Sequence, residues 1–449
     1  MKALQRVFSS TLRMSAVYAL CVAAAPPAQA QSLSALIEHA RGYDAAWQAA
    51  RAQLQAAGSR AEQARAGLLP SVGLSAGVST ARTEVSRPEI NLTTPNRNVT
   101  LSASQPLYRP ANRIGYEQGQ RGIDVAQAQL DAATQDLLVR VSQGYFDVLA
   151  AQDTLAFVRA QKAAVEEQLA AAKRNFEVGT STITDQREAQ ARYDIVVAQE
   201  IAAENDLHVK RLALDQLVGR TGTAPLPLAQ PVQLPADATG DVGEWVQKSQ
   251  EQQPAVRQAT VALDIAQLET QKARTGHLPT VDLQAGYAIN HYPKGTLTAQ
   301  GLNQRNTTAS VGVALNLPLF AGFAVQNRIQ ETLAREEQAE ADLEALRRNV
   351  AQATRAAYFG VQSGHSQVSA LQAAEASSQS ALDANQLGYK VGVRINIDVL
   401  NAQSQLYETK RDLAVARYNL LLGQLKLRQA AGVLSLDDLR ALDALLARP

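Results

Sequence analysis

The chain has 449 residues, of which 46% are hydrophobic and 5% aromatic, and its formal net charge at pH 7 is +1. A chain so close to neutral gives no indication of a nucleic-acid partner, which would require a strongly basic surface. The single cysteine, Cys21, excludes a disulfide framework and a metal site built from several thiolates, so packing must stabilise the fold.

The first 30 residues have the pattern of a secretory signal peptide. Lys2, Arg6 and Arg13 form a basic start, a short apolar run follows, and small residues precede the predicted cleavage after Ala30. The apolar run is far shorter than the roughly 20 residues of a membrane-spanning helix. No longer apolar run follows it, which leaves two classes open, a soluble secreted protein and an outer-membrane β-barrel.

The rest of the chain consists of two similar halves. GLLPSVGLSAG at 67–77 corresponds to GHLPTVDLQAG at 276–286, and SQPLY at 104–108 corresponds to NLPLF at 316–320. Four prolines between the halves predict a linker or an edge element, because proline continues neither a helix nor a central strand. The predicted organisation is a first structural repeat at 31–219, a proline-rich linker at 220–243, a second structural repeat at 244–432 and a C-terminal segment at 433–449.

Each half contains a long proline-free stretch with the periodicity of a coiled coil. In the first half, apolar or small residues recur every seven positions from 123 to 172, and a second row follows four residues after the first. A helix over about 112–178 would be on the order of 100 Å long at 1.5 Å per residue. The many alanines of the two long stretches, together with Gly144 and Gly364, predict close helix packing.

Glycines predict where these helices end. Gly179 predicts the end of the long helix, and a second helix is expected to start near Asp185 and to finish at Gly219. The second half repeats the pattern with Gly392, Asp398 and Gly432. Each half therefore contains a long helical hairpin, and Asp185 and Asp398, each just after a glycine-ended helix, are candidates for N-caps.

Shorter segments alternate apolar and small polar residues, which is the period of a β-strand. Two such segments occur in each half, around 71–80, 98–104, 281–289 and 309–317. Each has about ten residues, the length of a tilted strand that crosses an outer membrane. The polar stretches 81–98 and 290–307 are predicted to be loops on the outer face.

Four strands are too few to close a membrane barrel, and an open edge in lipid leaves backbone groups unpaired. The chain is therefore expected to oligomerise. Two subunits would give a narrow eight-stranded barrel filled by side chains, whereas three would give twelve strands with room for a pore. We favour three subunits.

Taken together, these segments resemble the TolC family of outer-membrane efflux and type I secretion proteins. The most specific likeness is LGYKVGVRINIDVLNAQSQLY at 387–407, which is similar to the family's turn between the two inner helices. The resemblance implies an α+β membrane protein: a homotrimer with a twelve-stranded β-barrel, four strands per chain, in the lipid of the outer membrane. An α-helical coiled-coil tunnel would continue it into the periplasm. It also implies docking to a periplasmic adaptor (membrane fusion) protein and to an inner-membrane ABC or proton-driven transporter.

The resemblance also assigns roles to residues near the two helical turns. It implies that Asp185, Tyr389 and Arg394 link inner and outer hairpins by hydrogen bonds and a salt bridge, so that they hold the periplasmic end closed. Asp398 is expected to face the lumen, where three copies would form an acidic ring that attracts cations. Asn401 stands where a compared member of the family has a second acidic residue, so polyvalent cations should block this channel more weakly than one with two rings.

The sequence offers no catalytic or cofactor-binding constellation. Its histidines are scattered without metal-ligand spacing, and phosphate-binding glycine loops and Gly-x-Ser-x-Gly are absent. An enzyme is not predicted, and neither is a cofactor. The expected function is an export duct that partner docking opens, with type I protein secretion favoured over multidrug efflux. The alternative is a non-conducting secreted or surface coiled-coil protein.

Overall fold

The computed structural model describes residues 31–87, 89–229, 240–296 and 299–447. The predicted signal peptide and the centre of the proline-rich linker lie outside these residues. The elements in chain order are α1 Leu33–Tyr43, α2 Ala45–Ala66, β1 Ser71–Ser86, β2 Glu89–Tyr108, α3 Pro110–Glu177, α4 Ile183–Val218, α5 Val242–Gln252, α6 Pro254–Arg274, β3 Thr280–Tyr292, β4 Gly295–Thr296, β5 Ala299–Gln300, β6 Gln304–Asn316, α7 Ala324–Lys390, α8 Asn396–Ala430 and α9 Leu436–Asp443.

The long helices agree with the heptad prediction. The helix expected over about 112–178 is α3, with 68 residues, and α7 repeats it with 67. We call α3 and α4 the outer hairpin, and α7 and α8 the inner hairpin. None of the helices in the described part of the chain has an apolar stretch long enough to span a bilayer.

The chain divides into two compact units that each take segments from both sequence repeats. Among the described residues, the first unit consists of 31–48, 134–229, 240–246 and 353–447, and the second of 49–87, 89–133, 247–296 and 299–352. The repeats are thus a feature of the sequence, whereas each compact unit combines corresponding parts of the two halves.

The largest core of the first unit packs α1, α3, α4, α8 and α9 together. Tyr145 is fully buried, and its hydroxyl donates to the carbonyl oxygen of Leu226 at 2.9 Å. The predicted close approaches also occur in this unit. A β-carbon at Gly144 would lie 3.3 Å from Leu217, and one at Gly364 would lie 3.2 Å from Leu420, so neither position has room for a large side chain.

The second unit contains an antiparallel sheet in the order β1-β2-β3-β6. The four predicted strands are confirmed, but the two predicted outer loops are wrong in extent. Residues 81–86 continue β1 and 89–98 continue β2, and the two strands pair as far as Ser86 and Glu89. Likewise, 290–292 extend β3, 304–307 begin β6, and the short β4–β5 pair lies between them. Backbone pairing extends these hairpins beyond the residues that carry the apolar alternation.

The strand register aligns the apolar residues of all four strands on one face. Val72 lies opposite Ala103, Ala103 opposite Ala285, and Ala285 opposite Val311. The next row on this face is Leu74, Leu101, Tyr287 and Ala309. Large members of this face are exposed in the single chain, for example Val72 at 71% and Val311 at 79%. The other face carries small polar residues, including the row Gly73, Ser102, Gly286 and Ser310.

Candidate functional site at the hairpin turns

Both long helices end in the same glycine-dependent motif. Gly179 and Gly392 have φ values of 75° and 79°, in the left-handed region that favours glycine. The N–H of Gly179 donates to Phe176 and that of the next residue, Thr180, donates to Asn175. Gly392 and Val393 repeat these two bonds to Tyr389 and Gly388, which is the Schellman pattern. The predicted turn glycines therefore end both helices.

The outer hairpin resumes at a capping box whose N-cap is Thr182. Thr182 Oγ1 accepts from the Asp185 N–H at 3.2 Å, and Asp185 Oδ2 accepts from the Thr182 N–H at 3.0 Å. The prediction of an N-cap at Asp185 is therefore wrong by three residues, because the carboxylate serves as the N3 partner. Partial burial disfavours the charge of this carboxylate, but hydrogen bonds from Ser181 and Thr182 outweigh that and lower its pKa.

The inner hairpin resumes without a side-chain cap. Ile395 is the N-cap residue, and Asp398 again occupies N3, so an N-cap role for Asp398 is also wrong. The carboxylate instead pairs with Arg394, with Nη1 3.6 Å from Oδ2. Arg394 lies close to Gly388, where a β-carbon would be 2.7 Å from Arg394 Cγ. Glycine at this position thus leaves space for the arginine stem.

Within one chain, the three predicted gate residues have separate partners. Asp185 bonds to Ser181 and Thr182, and Arg394 pairs with Asp398 rather than with Asp185. Tyr389 is half-buried, and its hydroxyl accepts from Asn175 Nδ2 at 3.3 Å. That last contact joins the inner hairpin to the outer one.

Asn401 makes a second contact between the hairpins. Its Oδ1 accepts from Arg192 Nη2 at 2.8 Å, so a guanidinium of the outer hairpin lies beside this uncharged position of α8. Asp398 and Asn401 are near neighbours on α8, but only Asp398 carries a charge. The local field at this position is therefore less negative than two aspartates would produce.

The sequence reasoning missed Asn396, which the structure buries at the centre of this region. Its Oδ1 accepts from Gln168 Nε2 at 2.6 Å, and its Nδ2 donates to the Asp185 carbonyl oxygen at 3.5 Å. Asn396 therefore contacts both helices of the outer hairpin. The one signal in the sequence was a polar Asn inside an amphipathic segment. That signal does not identify its partners, because they depend on the packing register between α3 and α8.

The described residues contain no group of three or more His, Cys, Asp or Glu side chains placed to hold a metal ion. At the turns themselves the exposed side chains include large apolar ones, namely Val178, Val391, Val393 and Ile395. The arrangement is therefore two glycine-ended helical turns whose hairpins are joined by hydrogen bonds, with exposed apolar side chains at the end.

Comparisons with known proteins agree on one family. The model of the family described as "Outer membrane efflux protein" matches residues 36–220 and 245–433. The outer membrane protein TolC of Vibrio cholerae serotype O1 is 33% identical over 422 residues, covering 92% of this chain and 94% of that protein. The proteases secretion protein PrtF of Dickeya chrysanthemi is 30% identical over 438 residues, covering 92% of this chain and 93% of PrtF. The crystal structure of the outer membrane protein VceC from Vibrio cholerae shares the fold, with a TM-score of 0.75, 20% identity and coverage of 89% of this chain and 96% of VceC.

Proposed function

Because the chain belongs to the outer membrane efflux protein family, we propose that it is the outer-membrane exit duct of a tripartite export system. The protein is located in the outer membrane, with its helical tunnel in the periplasm. The observation that carries the proposal is the two-faced sheet, apolar on one side and small and polar on the other. Lipid would cover the first face and an aqueous lumen the second.

The duct is proposed to be a homotrimer. β1 and β6 are the edge strands of the four-stranded sheet, and pairing them with other copies removes both open edges. Three copies supply twelve strands, enough for a barrel with a pore. Light scattering of the detergent-solubilised protein, corrected for detergent, tests this stoichiometry, and a monomer or dimer would contradict it.

We propose that the hairpin turns form the gate of this duct. Asp185, Tyr389 and Arg394 are proposed to hold the end closed, and Asp398 is proposed to line the constriction beside Asn401. The contacts Asn175–Tyr389 and Arg192–Asn401 support a role for the turns in holding the two hairpins together. Docking of a periplasmic adaptor protein and an inner-membrane transporter would separate them.

For the cargo, we propose type I protein secretion in preference to multidrug efflux. PrtF, similar over almost its whole length, is a proteases secretion protein by name, which supports this choice. An ABC transporter would then be the inner-membrane partner. Deleting the gene and comparing the secreted proteins with drug susceptibility separates the two cargoes. Loss of a secreted protein at unchanged susceptibility is expected, and the opposite result would favour a proton-driven drug pump.

The central experiment is conductance of the purified protein in planar lipid bilayers. An exit duct gives discrete channel openings, whereas a coiled-coil structural protein gives none. Absence of conductance from a correctly folded trimer, even with the Arg394→Ala substitution, would overturn the proposed function.

A further inference from the structure

One end of the apolar sheet face carries a row of basic side chains. Arg97 of β2 lies opposite His291 of β3, and His291 lies opposite Arg305 of β6. Residues that lie opposite each other in paired strands share a face of the sheet, so these side chains form one row across three strands. We call Arg97, His291 and Arg305 the basic row.

The basic row belongs to the apolar face rather than to the polar one. Arg97 is two residues from Val99 in β2, and His291 is two residues from Ile289 in β3. Because side chains alternate between the two faces along a strand, each basic residue shares the face of its apolar neighbour. Val78 of β1 lies opposite Arg97 and extends the row to the fourth strand. The basic row therefore directly continues the apolar rows.

This end of the sheet is the one remote from the helices. β1 follows α2 and β2 leads into α3, both at the opposite end. Since the helical tunnel lies in the periplasm, the basic row lies toward the outer surface of the membrane.

The length of the apolar face places the basic row at the outer edge of the hydrocarbon. Along β3, Val281 and His291 are ten residues apart, or about 34 Å at a rise of about 3.4 Å per residue. A strand tilt of about 40° reduces this to about 26 Å, close to the apolar band of about 25 Å on membrane barrels. The basic row therefore lies at the level of the outer lipid head groups.

The two arginines of the basic row have no acidic partner in the described part of the chain. Arg97 and Arg305 are both exposed, and neither side chain forms an ion pair or a hydrogen bond with another described residue. Arg82, farther out on the same face, differs because it pairs with Glu84 at 2.9 Å.

The arginine at the inner end of the sheet is also neutralised within the chain. Arg109 directly follows β2, and its guanidinium donates two hydrogen bonds to Asp282, at 2.8 and 2.6 Å. The arginines of the basic row thus need a negative partner from outside the chain, whereas Arg109 does not.

The basic row is unfavourable without an anion. Adjacent strands lie about 4.8 Å apart, so the backbones of Arg97 and Arg305, on either side of β3, are about 10 Å apart. Their positive charges repel each other, and the repulsion is stronger beside hydrocarbon than in water. A phosphate group between them relieves the repulsion, because each guanidinium can bind phosphate oxygens through two parallel hydrogen bonds.

We propose that the basic row binds a phosphate group of lipopolysaccharide, the phosphorylated glycolipid of the outer leaflet, with one site per chain. The proposal rests on the proposed function, because it assumes that lipid covers the apolar face. Arg97 and Arg305 bind the phosphate oxygens, and His291 lies between them, with its Nε2 2.6 Å from Asn303 Oδ1. The acyl chains of the same molecule lie along the apolar rows below.

The charge of the phosphate selects this lipid. The lipid A part of lipopolysaccharide carries phosphate monoesters, each with a charge of about −1.5 to −2 at pH 7. The phosphodiester of a phospholipid carries a single negative charge. Two unpaired guanidiniums therefore favour lipid A over a phospholipid head group.

Binding of purified lipid A to the intact protein tests the site. The detergent-solubilised protein is titrated with bisphosphorylated lipid A, and native mass spectrometry counts the bound molecules and measures their affinity. One tightly bound molecule per chain is expected. Arg97→Gln combined with Arg305→Gln should weaken binding at least about tenfold, because both guanidiniums are lost. An unchanged affinity would overturn the proposal.

A second double variant controls for the loss of charge. Arg82→Gln combined with Arg87→Gln also removes two positive charges per chain, but both residues lie outside the basic row, nearer the β1–β2 turn. Its affinity for lipid A should change less than about twofold, since Arg82 is already paired with Glu84. A loss as large as in the Arg97 and Arg305 variant would show that only net charge matters.

Two other ligands identify the source of the phosphate. Phosphatidylglycerol should bind the wild-type protein at least about tenfold more weakly than lipid A, because its phosphodiester carries less charge. Inorganic phosphate at millimolar concentration should not displace lipid A, since it has no acyl chains to contact the apolar rows. Equal affinity for phosphatidylglycerol, or displacement by inorganic phosphate, would overturn the assignment to lipid A.

Conductance separates this proposal from the proposed function. Arg97 and Arg305 lie outside the proposed gate, so the channel openings of their double variant should match those of the wild type. A correctly folded protein that never conducts would refute the exit duct, whereas lipid A binding decides the basic row in either case. The mass of the assembly in the same spectra checks that each variant is intact.

Discussion

Arg394 occupies space that a side chain at Gly388 would need. A β-carbon at Gly388 would lie 2.7 Å from Cγ and 3.3 Å from Cβ of Arg394, and the backbone N–H of Arg394 donates to the Gly388 carbonyl oxygen at 3.2 Å. The end of α7 and the arginine proposed to close the gate are therefore sterically coupled.

The first prediction follows from this contact. Gly388→Ala should displace the Arg394 stem and weaken every bond of its guanidinium, so bilayer conductance should rise toward that of Arg394→Ala. Gly360→Ala is the matched control, because it lies in the same helix and its β-carbon would meet nothing within 4 Å. Both alanines favour the helix by up to about 1 kcal/mol, so helix propensity alone predicts equal behaviour. Equal conductance of the two variants would therefore rule out the coupling.

Arg394→Ala itself should shift the gate toward opening. The Arg394–Asp398 pair lies within the inner hairpin, so the energy at stake is that of the proposed gate contact. As an exposed ion pair, that contact would contribute about 0.2–1 kcal/mol, so three copies would contribute up to about 3 kcal/mol, or up to about 150-fold in the open-to-closed ratio. Single-channel recording and sensitivity to large antibiotics measure this. Arg440→Ala is a suitable control, since Arg440 pairs with Asp437 three residues away in α9. Unchanged conductance in intact trimers would remove Arg394 from the gate.

The sequence predicted the helices well because coiled-coil periodicity and turn glycines are local signals. The strands that it predicted are too short. The ends of β1 and β2 pair through their backbones as far as Ser86 and Glu89, but their polar side chains lack the apolar alternation that indicates a strand. The cap at Thr182 was missed although Thr182 and Asp185 have the spacing of a capping box, which is a local signal.

Asn396 could not have been found in the same way. Its hydrogen bond to Gln168 joins residues 228 positions apart, so it depends on the packing register of α3 and α8. Likewise, the pairing of Arg192 with Asn401 connects the two repeats, and no period within either repeat indicates it.

Asn401→Asp should strengthen block of the channel by polyvalent cations. The substitution adds three carboxylates near the Asp398 residues. Two unit charges about 4 Å apart in water interact by about 1 kcal/mol, and the energy scales with the ion's charge, so a polyvalent cation should bind more tightly by at least about fivefold. Part of this gain should be lost to Arg192, whose guanidinium already contacts position 401. The block constant for a trivalent cation should therefore tighten further with Arg192→Ala added. Wild-type block as tight as in a channel with two acidic rings would contradict the single-ring assignment.

The last prediction concerns the hydrogen bond from the Tyr418 hydroxyl to Asp153 Oδ2, 2.7 Å long, in the first compact unit. Burial raises the pKa of Asp153, while this bond and the nearby Arg417 oppose the rise. The folded state therefore binds the Asp153 proton more tightly than the unfolded state does. As a result, the free energy of unfolding falls as the pH rises from the ordinary pKa of an aspartate to the raised pKa of Asp153. Tyr418→Phe removes the donor and should raise the pKa of Asp153 further. The variant should therefore lose about 1–3 kcal/mol of its free energy of unfolding at pH 7, where the carboxylate is charged, and less at pH 4.

Asp153→Asn keeps an acceptor for Tyr418 without the charge, so its stability should depend less on pH over this range. Thermal unfolding followed by circular dichroism at the two pH values measures both effects. An equal loss of stability for Tyr418→Phe at pH 4 and pH 7 would show that the hydroxyl does not act through the Asp153 charge.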